Sequence, residues 1–226
     1  PGRAGGVPPH PAGGGGAAHL NHVWVSPGPR PPDNLAPSPC PIGVFVDYSH
    51  TPDSIVKALD ALEGIKTART LIVFGCGGDR DATKRPLMGA AALAADYAIV
   101  TSDNPRTEDP LNIIADILPG MAGAEDRYEV EPDRRRAIVR ALAAAEPGDL
   151  VLIAGKGHED YQLVGDKVLA FDDRLVAAEE LRALLEAGHW QASADATQRQ
   201  GHTRAEYLQG GAVRNIPRKA GDTPCG

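Results

Sequence analysis

The chain has 226 residues, 42% of them hydrophobic, and a formal net charge of -7 at pH 7. This composition is sufficient for a folded core in one or two domains. The negative charge argues against a nucleic-acid partner, and no apolar run reaches the ~18 residues that cross a bilayer, so no membrane partner is expected. Cys40, Cys76 and Cys225 form no C-x-x-C pair, which favours a reducing compartment, and we expect the cytoplasm.

The composition changes twice along the chain. Residues 1–41 are rich in Pro and Gly without helical or strand periodicity, which predicts disorder. Residues 42–187 alternate short apolar runs with segments of helical period, the pattern of repeated βα units and a parallel sheet. Residues 188–226 are polar with no sustained apolar stripe, and we expect disorder there too. The predicted fold class is therefore α/β, with one domain over residues 42–187.

The predicted elements of this domain follow in chain order. A first strand, "IGVFVDYS", precedes the helix "TPDSIVKALDALEG", in which Thr51 is the N-cap, Pro52 the first helical residue and Gly64 the stop. The strand "RTLIVFG" leads through "GCGGDRDATKRP" into the Ala-rich helix "LMGAAALAA", and "YAIVTS" is the third strand. Asp109 and Pro110 begin the helix "LNIIADIL". The remaining elements are the helix "RRRAIVRALAAA", the strand "GDLVLIAGKG" and the helix "DDRLVAAEELRALLEAG".

All four predicted strands end in loops with ionisable side chains. These loops are "DYSHTP", "GCGGDRD", "TSDNPRTEDP" and "AGKGHED". Open α/β sheets bind ligands in the crevice outside the carboxyl ends of their strands. The coincidence of four charged loops at that edge predicts a binding site there.

None of these loops identifies a ligand by itself. "GCGGDRDATKRP" lacks the spacing G-x-G-x-x-G, so a tight turn is as plausible as an anion site, and the P-loop pattern G-x-x-x-x-G-K-[ST] occurs nowhere in the chain. His50 beside Tyr48 suits either stacking on a base or a local cap, and both alternatives stay open. Solvated positions are expected for Lys156, His158 and the run 134–136. No metal site is expected, since His10, His19 and His22 lack ligand-like partners.

Four motifs in this order, "DYSHTPDS", "FGCGGDRDATKRPLMG", "VTSDNPRTEDP" and "AGKGHEDYQ", resemble the C-terminal domain of the Mur ligases, which build bacterial peptidoglycan. The resemblance covers about residues 43–185 and is greatest to the members that add meso-diaminopimelate. It implies a Rossmann-like, mostly parallel sheet flanked by helices. It also implies a three-domain enzyme of which only the third domain is present here.

The resemblance also implies the reaction and its cofactors. The complete enzyme would use ATP and Mg²⁺ to phosphorylate a glutamate carboxylate of UDP-N-acetylmuramoyl-dipeptide, and the amine of meso-diaminopimelate would then attack the acyl phosphate. The nucleotide-sugar substrate and ATP would bind chiefly through the domains missing from this chain. We therefore expect this chain to hold neither ATP nor Mg²⁺ alone, to contribute no catalytic residue and to be inactive by itself.

The same resemblance assigns the candidate site residues. The family's DNPR signature is Asp103, Asn104, Pro105 and Arg106, and Arg106 would grip the far carboxylate that distinguishes diaminopimelate from lysine. Bracing of the loop against Asp103 or Glu108 is the alternative for Arg106. The other expected diaminopimelate contacts are Arg80, Gly155 and Glu159, and the expected nucleotide contacts are Asp47, His50, Lys84 and Arg85.

Three functions from different classes remain open. The chain is a C-terminal fragment of a ligase, a non-catalytic module that retains the diaminopimelate pocket, or a dinucleotide-binding oxidoreductase domain. The absence of G-x-G-x-x-G weakens the third. The composition of residues 4–41 and of the tail also suggests a shifted reading frame, a hypothesis that an uninterrupted homologous coding frame there would contradict.

Overall fold

The computed structural model describes residues 23–24 and 40–190. The disorder predicted for residues 1–41 and 188–226 concerns, for the most part, positions outside these described residues. One six-stranded sheet and one separate hairpin organise the described part of the chain. The strands of the large sheet are β1 (Val23–Trp24), β2 (Gly43–Asp47), β3 (Thr70–Phe74), β4 (Tyr97–Val100), β5 (Tyr128–Val130) and β6 (Leu150–Ala154). The hairpin consists of β7 (Tyr161–Val164) and β8 (Lys167–Ala170).

Five helices accompany the strands: α1 (Pro52–Glu63), α2 (Arg85–Ala92), α3 (Pro110–Ile117), α4 (Arg134–Ala144) and α5 (Asp173–Glu186). Short 3-10 turns, Ala82–Lys84 and Leu118–Met121, precede α2 and follow α3. The predicted caps are confirmed: Thr51 accepts from the Ser54 amide in a capping box, Pro52 begins α1 and Gly64 is its C-cap. Asp109 likewise caps α3 ahead of Pro110.

The strand order is β1-β2-β6-β3-β4-β5, and the five strands from β2 to β5 in that order pair in parallel. One face of the sheet packs under α1, α2 and α3, and the other under α4 and α5. Alternate residues of β2, β3, β4 and β6 enter the two cores, as in β3, where Ile72 faces one and Val73 the other. Because both faces are covered, β3 and β6 are buried along their whole length. The predicted α/β fold with a mostly parallel sheet is confirmed.

Neighbouring strands in the sheet carry the four polar loops. Strands β2, β6, β3 and β4 lie side by side, and their carboxyl ends share one edge. The loops after them are therefore adjacent in space although they are far apart in the sequence. Two helical layers support this edge from opposite faces.

Several elements were absent from the sequence prediction. Residues 1–41 were expected to lack strands, yet β1 pairs antiparallel with β2. Without β1, strand β2 would form the edge of the sheet and leave backbone groups unpaired. Strand β5 and the β7–β8 hairpin were also missed.

Residues 188–190, which the sequence assigns to a disordered tail, are ordered, and the rest of that predicted tail lies outside the described residues. Gly188 has φ 69° and forms a Schellman motif at the end of α5, in which the amides of Gly188 and His189 donate to Leu185 and Leu184. Trp190 then packs on the core beside α4 and donates its Nε1–H to the carbonyl of Ala145 at 2.9 Å. The folded domain thus extends to Trp190.

Candidate functional site

Two loops meet at the centre of the polar edge, the one after β4 and the one after β6. Asn104 is 3% exposed, and its Nδ2 donates to Oε2 of Glu159 at 2.9 Å. The Oδ1 of the same amide accepts from the Leu163 backbone at 2.9 Å. The structure therefore brings together two side chains, from separate motifs, that were both predicted to bind amino acid.

Lys156 lies beneath this contact and is completely buried. Its Nζ donates to Oε2 of Glu159 at 3.1 Å, to Oδ1 of Asn104 at 3.4 Å and to the carbonyl of Tyr161. The expectation that Lys156 is a solvated loop residue is wrong, because three oxygen acceptors replace its water shell. His158, in contrast, is exposed as expected.

Glu159 retains a free acceptor at this point. Its side chain is 18% exposed, and its contacts with Asn104 and Lys156 both use Oε2. Within the part of the chain that the structure describes, Oε1 makes no hydrogen bond. A partly exposed carboxylate oxygen held in this way can accept from an ammonium group of a ligand.

Arg106 lies in the loop after β4, two residues beyond Asn104, and is half-buried. Its backbone has φ 53°, a left-handed conformation that is uncommon for a residue with a Cβ. The Nη1 atom donates to the carbonyl of Gly78 at 2.7 Å and approaches that of Asn104 at 3.5 Å. Bracing against Asp103 or Glu108 does not occur, since these contacts are to backbone carbonyls.

The glycine-rich loop after β3 packs directly on the DNPR loop. The Gly78 amide donates to the Asn104 carbonyl at 2.9 Å, and a Cβ on Gly78 would lie 1.9 Å from the carbonyl oxygen of Pro105. Glycine is therefore required here for the approach of one backbone to another. A Cβ on Gly77 would lie 2.9 Å from Nη1 of Arg106 and 3.7 Å from Cγ of Arg80, so both arginines flank this glycine. Arg80 is otherwise exposed, and its Nη1 donates to the Asp79 carbonyl.

Asp103, the first residue of the DNPR signature, is buried. Burial raises the pKa of its carboxyl group above the ordinary value, although the charges of Arg134 and Lys156 act in the opposite direction. Its Oδ1 accepts from the Asn104 amide at 2.6 Å. Gly155 has φ 117°, and a Cβ there would lie 2.6 Å from Oδ2 of Asp103, so the loop after β6 can pass this carboxylate only with glycine at residue 155.

Arg134 supports the same region from α4. It is fully buried and forms a two-pronged ion pair with Asp173 at 2.7 and 2.8 Å. Its remaining donors contact the carbonyl of Ser102, two residues after β4, at 3.2 Å and that of Ala154, the last residue of β6, at 3.0 Å. The expectation of a solvated face is therefore wrong for Arg134, whereas Arg135 and Arg136 are 45% and 55% exposed.

The loop after β2 forms an adjacent surface. Asp47 is buried, its Oδ2 accepts from the Ser49 amide at 2.9 Å, and its carbonyl accepts from the Gly155 amide at 3.1 Å. The exposed ring of Tyr48 lies 4.6 Å from that of His50 and 5.5 Å from that of His158, measured between centroids. His50 also contacts the Tyr48 carbonyl through Nδ1 at 2.8 Å. His50 thus forms a local backbone contact and also belongs to an exposed group of rings with Tyr48 and His158. Nucleotide binding there stays a prediction.

Lys84 and Arg85, the other predicted nucleotide contacts, lie at the start of α2. Lys84 is exposed and its Nζ lies 3.9 Å from Oδ2 of Asp81. Arg85 is buried and pairs with Glu108 at 2.7 Å and with Asp116 at 2.8 Å, which ties α2 to α3. The structure thus places Arg85 in ion pairs that join two helices, and among the described residues neither Lys84 nor Arg85 forms a hydrogen bond or ion pair with the His50 loop.

Among residues 40–190, no group of three or more His, Cys, Asp or Glu side chains is arranged to hold a metal ion. These residues therefore offer a magnesium ion no such cluster of side-chain ligands. No helix in the described ranges is long and apolar enough to cross a bilayer.

Comparisons with known proteins agree with the geometry. Residues 35–157 match the family model described as Mur ligase, glutamate ligase domain, which is more than half of the chain. The chain belongs to this family. It is similar to the UDP-N-acetylmuramoyl-L-alanyl-D-glutamate--2,6-diaminopimelate ligase of Syntrophomonas wolfei, with 59% identity over 141 residues that cover 62% of this chain and 29% of the relative.

Two further relatives carry the same name. The ligase of Chlamydia muridarum is 48% identical over 176 residues, which cover 76% of this chain and 35% of that protein. A solved structure of a UDP-N-acetylmuramoyl-L-alanyl-D-glutamate--2,6-diaminopimelate ligase superimposes with a TM-score of 0.61 at 44% identity, over 64% of this chain and 30% of that one. The chain thus spans about a third of the length of the relatives it matches.

Proposed function

We propose that this chain is the amino-acid-binding domain of an ATP-dependent ligase that adds meso-diaminopimelate to UDP-N-acetylmuramoyl-L-alanyl-D-glutamate. The family and the names of the similar ligases support this proposal. The structural observation that carries it is the 2.9 Å hydrogen bond between Asn104 and Glu159. This bond joins the loop that presents a guanidinium to the loop that presents a carboxylate.

Such a pair of loops suits a zwitterionic end of an amino acid. Arg106 can bind the far carboxylate of diaminopimelate in a two-pronged contact. Its Nη1 would either give up its hydrogen bond to the Gly78 carbonyl or keep that bond while it binds the ligand. Glu159 can accept from the neighbouring ammonium through Oε1. The proposed pocket also includes Arg80, Asp103, Asn104, Pro105 and Gly155. One side of the pocket is formed where the loop after β6 passes close to Asp103 at Gly155.

The domain's part in the reaction is positioning. When ATP and Mg²⁺ are bound to the complete enzyme, they supply the phosphoryl group that activates the substrate carboxylate. The residues of this chain fix one end of the amino acid so that its amine at the other end can approach the activated carbon. Discrimination against lysine follows from the far carboxylate, because lysine cannot form the ion pair with the guanidinium.

Calorimetric titration of the full chain with meso-diaminopimelate and with L-lysine tests the proposal directly. We expect measurable binding of diaminopimelate and at least roughly tenfold weaker binding of lysine, the difference that one charge-assisted contact provides. Equal affinities, or binding of neither ligand, would contradict the assigned pocket. The expected compartment is the cytoplasm, where nucleotide-linked substrates are available.

The second candidate is a non-catalytic diaminopimelate-binding module, which would keep the pocket without taking part in ligation. Both candidates predict that the chain alone releases no phosphate from ATP. They differ when the complementary domains of a relative are supplied as a separate protein. Restored ligation would favour the split or partial ligase, and continued inactivity with intact diaminopimelate binding would favour the module.

A further inference from the structure

The β7–β8 hairpin lies beside the candidate pocket but contributes no side chain to either hydrophobic core among the described residues. Every residue of β8 is exposed. A two-stranded hairpin has little stability of its own in water. Its position must therefore depend on its polar contacts, which are made to the pocket.

Strand β7 and its turn form hydrogen bonds with three of the four residues of the DNPR signature: Asp103, Asn104 and Arg106. The four hydrogen bonds run from Gln162 Nε2 to the Asp103 carbonyl at 2.6 Å, from the Leu163 amide to Asn104 Oδ1 at 2.9 Å, from the Arg106 amide to the Leu163 carbonyl at 3.0 Å and from the Gly165 amide to the Arg106 carbonyl at 2.6 Å. Arg106 is thus bonded on both sides of its Cα and forms an isolated parallel bridge with Val164.

The two backbone hydrogen bonds of Arg106, to Leu163 and Gly165, hold a residue whose backbone conformation is energetically unfavourable. Arg106 has φ 53°, which crowds its Cβ against the backbone, so the loop alone favours other conformations. The turn that presents the Gly165 amide also needs a left-handed residue. Gly165 has φ 57° at the first position of the two-residue connection between Val164 and Lys167, the position where glycine is preferred in a type II′ turn.

We propose that the β7–β8 hairpin sets the position of Arg106, and that Gly165 and Gln162 are positioning residues for recognition of the far carboxylate of the amino acid. The ligand's identity in this inference rests on the proposed function, whereas the mechanical coupling of the hairpin to Arg106 does not. Neither residue touches the ligand in this scheme. Each acts through the backbone of residues 103–106.

Gly165→Ala is the test variant, and Gly123→Ala is its matched control. Both glycines have a positive φ, 57° and 82°, and an added Cβ meets nothing within 4 Å at either position. Both substitutions therefore place alanine at a positive φ without a steric clash, but of these two residues only Gly165 is bonded to Arg106. Gln162→Leu is a second variant, which removes the bond to Asp103 and leaves the turn unchanged.

Hydrogen exchange of the Arg106 amide, measured by NMR on the full ¹⁵N-labelled chain, reports the coupling without any ligand. We expect Gly165→Ala to accelerate this exchange by ~5- to 30-fold, the factor that corresponds to left-handed strain in alanine, and Gly123→Ala to leave it nearly unchanged. Gln162→Leu should accelerate it as well. Equal acceleration by both alanine variants, or none by either, would overturn the coupling; if Gly165→Ala prevents folding, Gln162→Leu decides the question.

Titration of the same samples with meso-diaminopimelate and L-lysine tests the consequence for recognition. We expect Gly165→Ala to weaken diaminopimelate binding by about threefold or more, because the competent conformation of Arg106 is less populated, and to spare lysine. An unchanged preference despite faster Arg106 exchange would contradict a role in recognition. If the wild-type chain binds neither amino acid while Arg106 exchange still responds, the proposed function fails and the positioning of Arg106 stands.

Discussion

Asn104 and Glu159 are 55 residues apart in the sequence, yet the amide Nδ2 of the first donates to Oε2 of the second at 2.9 Å. Lys156 contacts that same oxygen at 3.1 Å. Two donors on one oxygen fix the carboxylate's orientation and leave Oε1 for a ligand. The chemistry of the pocket therefore depends on a carboxylate that the protein has already oriented.

Glu159→Gln keeps the shape of this side chain and removes its charge. If Oε1 accepts from an ammonium group, the variant should bind meso-diaminopimelate roughly tenfold or more weakly, since a hydrogen bond to a charged group is lost. Titration calorimetry measures the change. The control is Glu186→Gln at the exposed end of α5, and unchanged affinity in Glu159→Gln would show that the ammonium lies elsewhere.

Lys156→Met tests the buried cation beneath the pocket. Removing one member of a buried charged network leaves its partners unsatisfied, and we expect the free energy of unfolding to fall by about 3 kcal/mol, the lower end of the usual range because Glu159 still reaches water. Chemical denaturation provides the measurement. Lys57→Met, at an exposed pair with Asp53, should cost about 0.5 kcal/mol or less, and similar losses in the two variants would argue against a special role for Lys156.

The pKa of Asp103 predicts how stability depends on pH. Burial raises this pKa in the folded state above the ordinary 3.8, so between 3.8 and the raised pKa the folded state binds more protons than the unfolded state. The contribution of Asp103 to the free energy of unfolding therefore falls as pH rises through that window. Asp103→Asn should remove this decline.

Denaturation of Asp103→Asn across acid and neutral pH checks this expectation. The stability of the variant relative to wild type should increase as pH rises from below 3.8 through the window and then become constant. Asp60→Asn, at an exposed position of α1, is the control for an Asp-to-Asn change elsewhere in the chain. A relative stability of Asp103→Asn that falls with rising pH would show that Asp103 is ionised more easily in the folded chain than in the unfolded one.

The fold was largely predictable because its signals are local. Caps such as Thr51 and Asp109, and the apolar runs that became β2, β3, β4 and β6, mark elements whose type depends on their own residues. Strand β5 could not be predicted in this way, since Tyr128–Val130 has only three residues and pairs only because β4 lies beside it. The hairpin did carry a signal, Gly-Asp between two short runs that alternate.

The sequence suggested members of the candidate site, whose binding role stays a prediction, but it did not give their arrangement. Motifs identified Asn104, Arg106 and Glu159, whereas the burial of Lys156 and Arg134 depends on loops and helices from distant parts of the chain. Charged residues are rarely buried, so solvent exposure was the natural expectation for both. Their acceptors, backbone carbonyls at strand ends and a carboxylate on another helix, exist only once the sheet has assembled.

Arg106 provides the sharpest test of substrate recognition, in a hybrid ligase that carries residues 42–190 of this chain in place of the corresponding domain of the Syntrophomonas wolfei relative. Arg106→Lys keeps the charge and loses the planar fork, and Arg106→Ala loses both. Removing one partner of a desolvated charge pair typically costs ~2 to 5 kcal/mol, so Arg106→Ala should lower kcat/KM for meso-diaminopimelate at least about thirtyfold.

The rate with lysine separates recognition from bracing. Lysine has no far carboxylate, so its kcat/KM should change little in Arg106→Ala, and the preference for diaminopimelate over lysine should shrink. If Arg106 serves only to hold the glycine-rich loop through the Gly78 carbonyl at 2.7 Å, both amino acids should lose activity by the same factor. Arg135→Ala, at an exposed ion pair on α4, is the control that should change neither rate. Steady-state assays with the two amino acids side by side give both ratios, and an unchanged preference would remove Arg106 from the pocket.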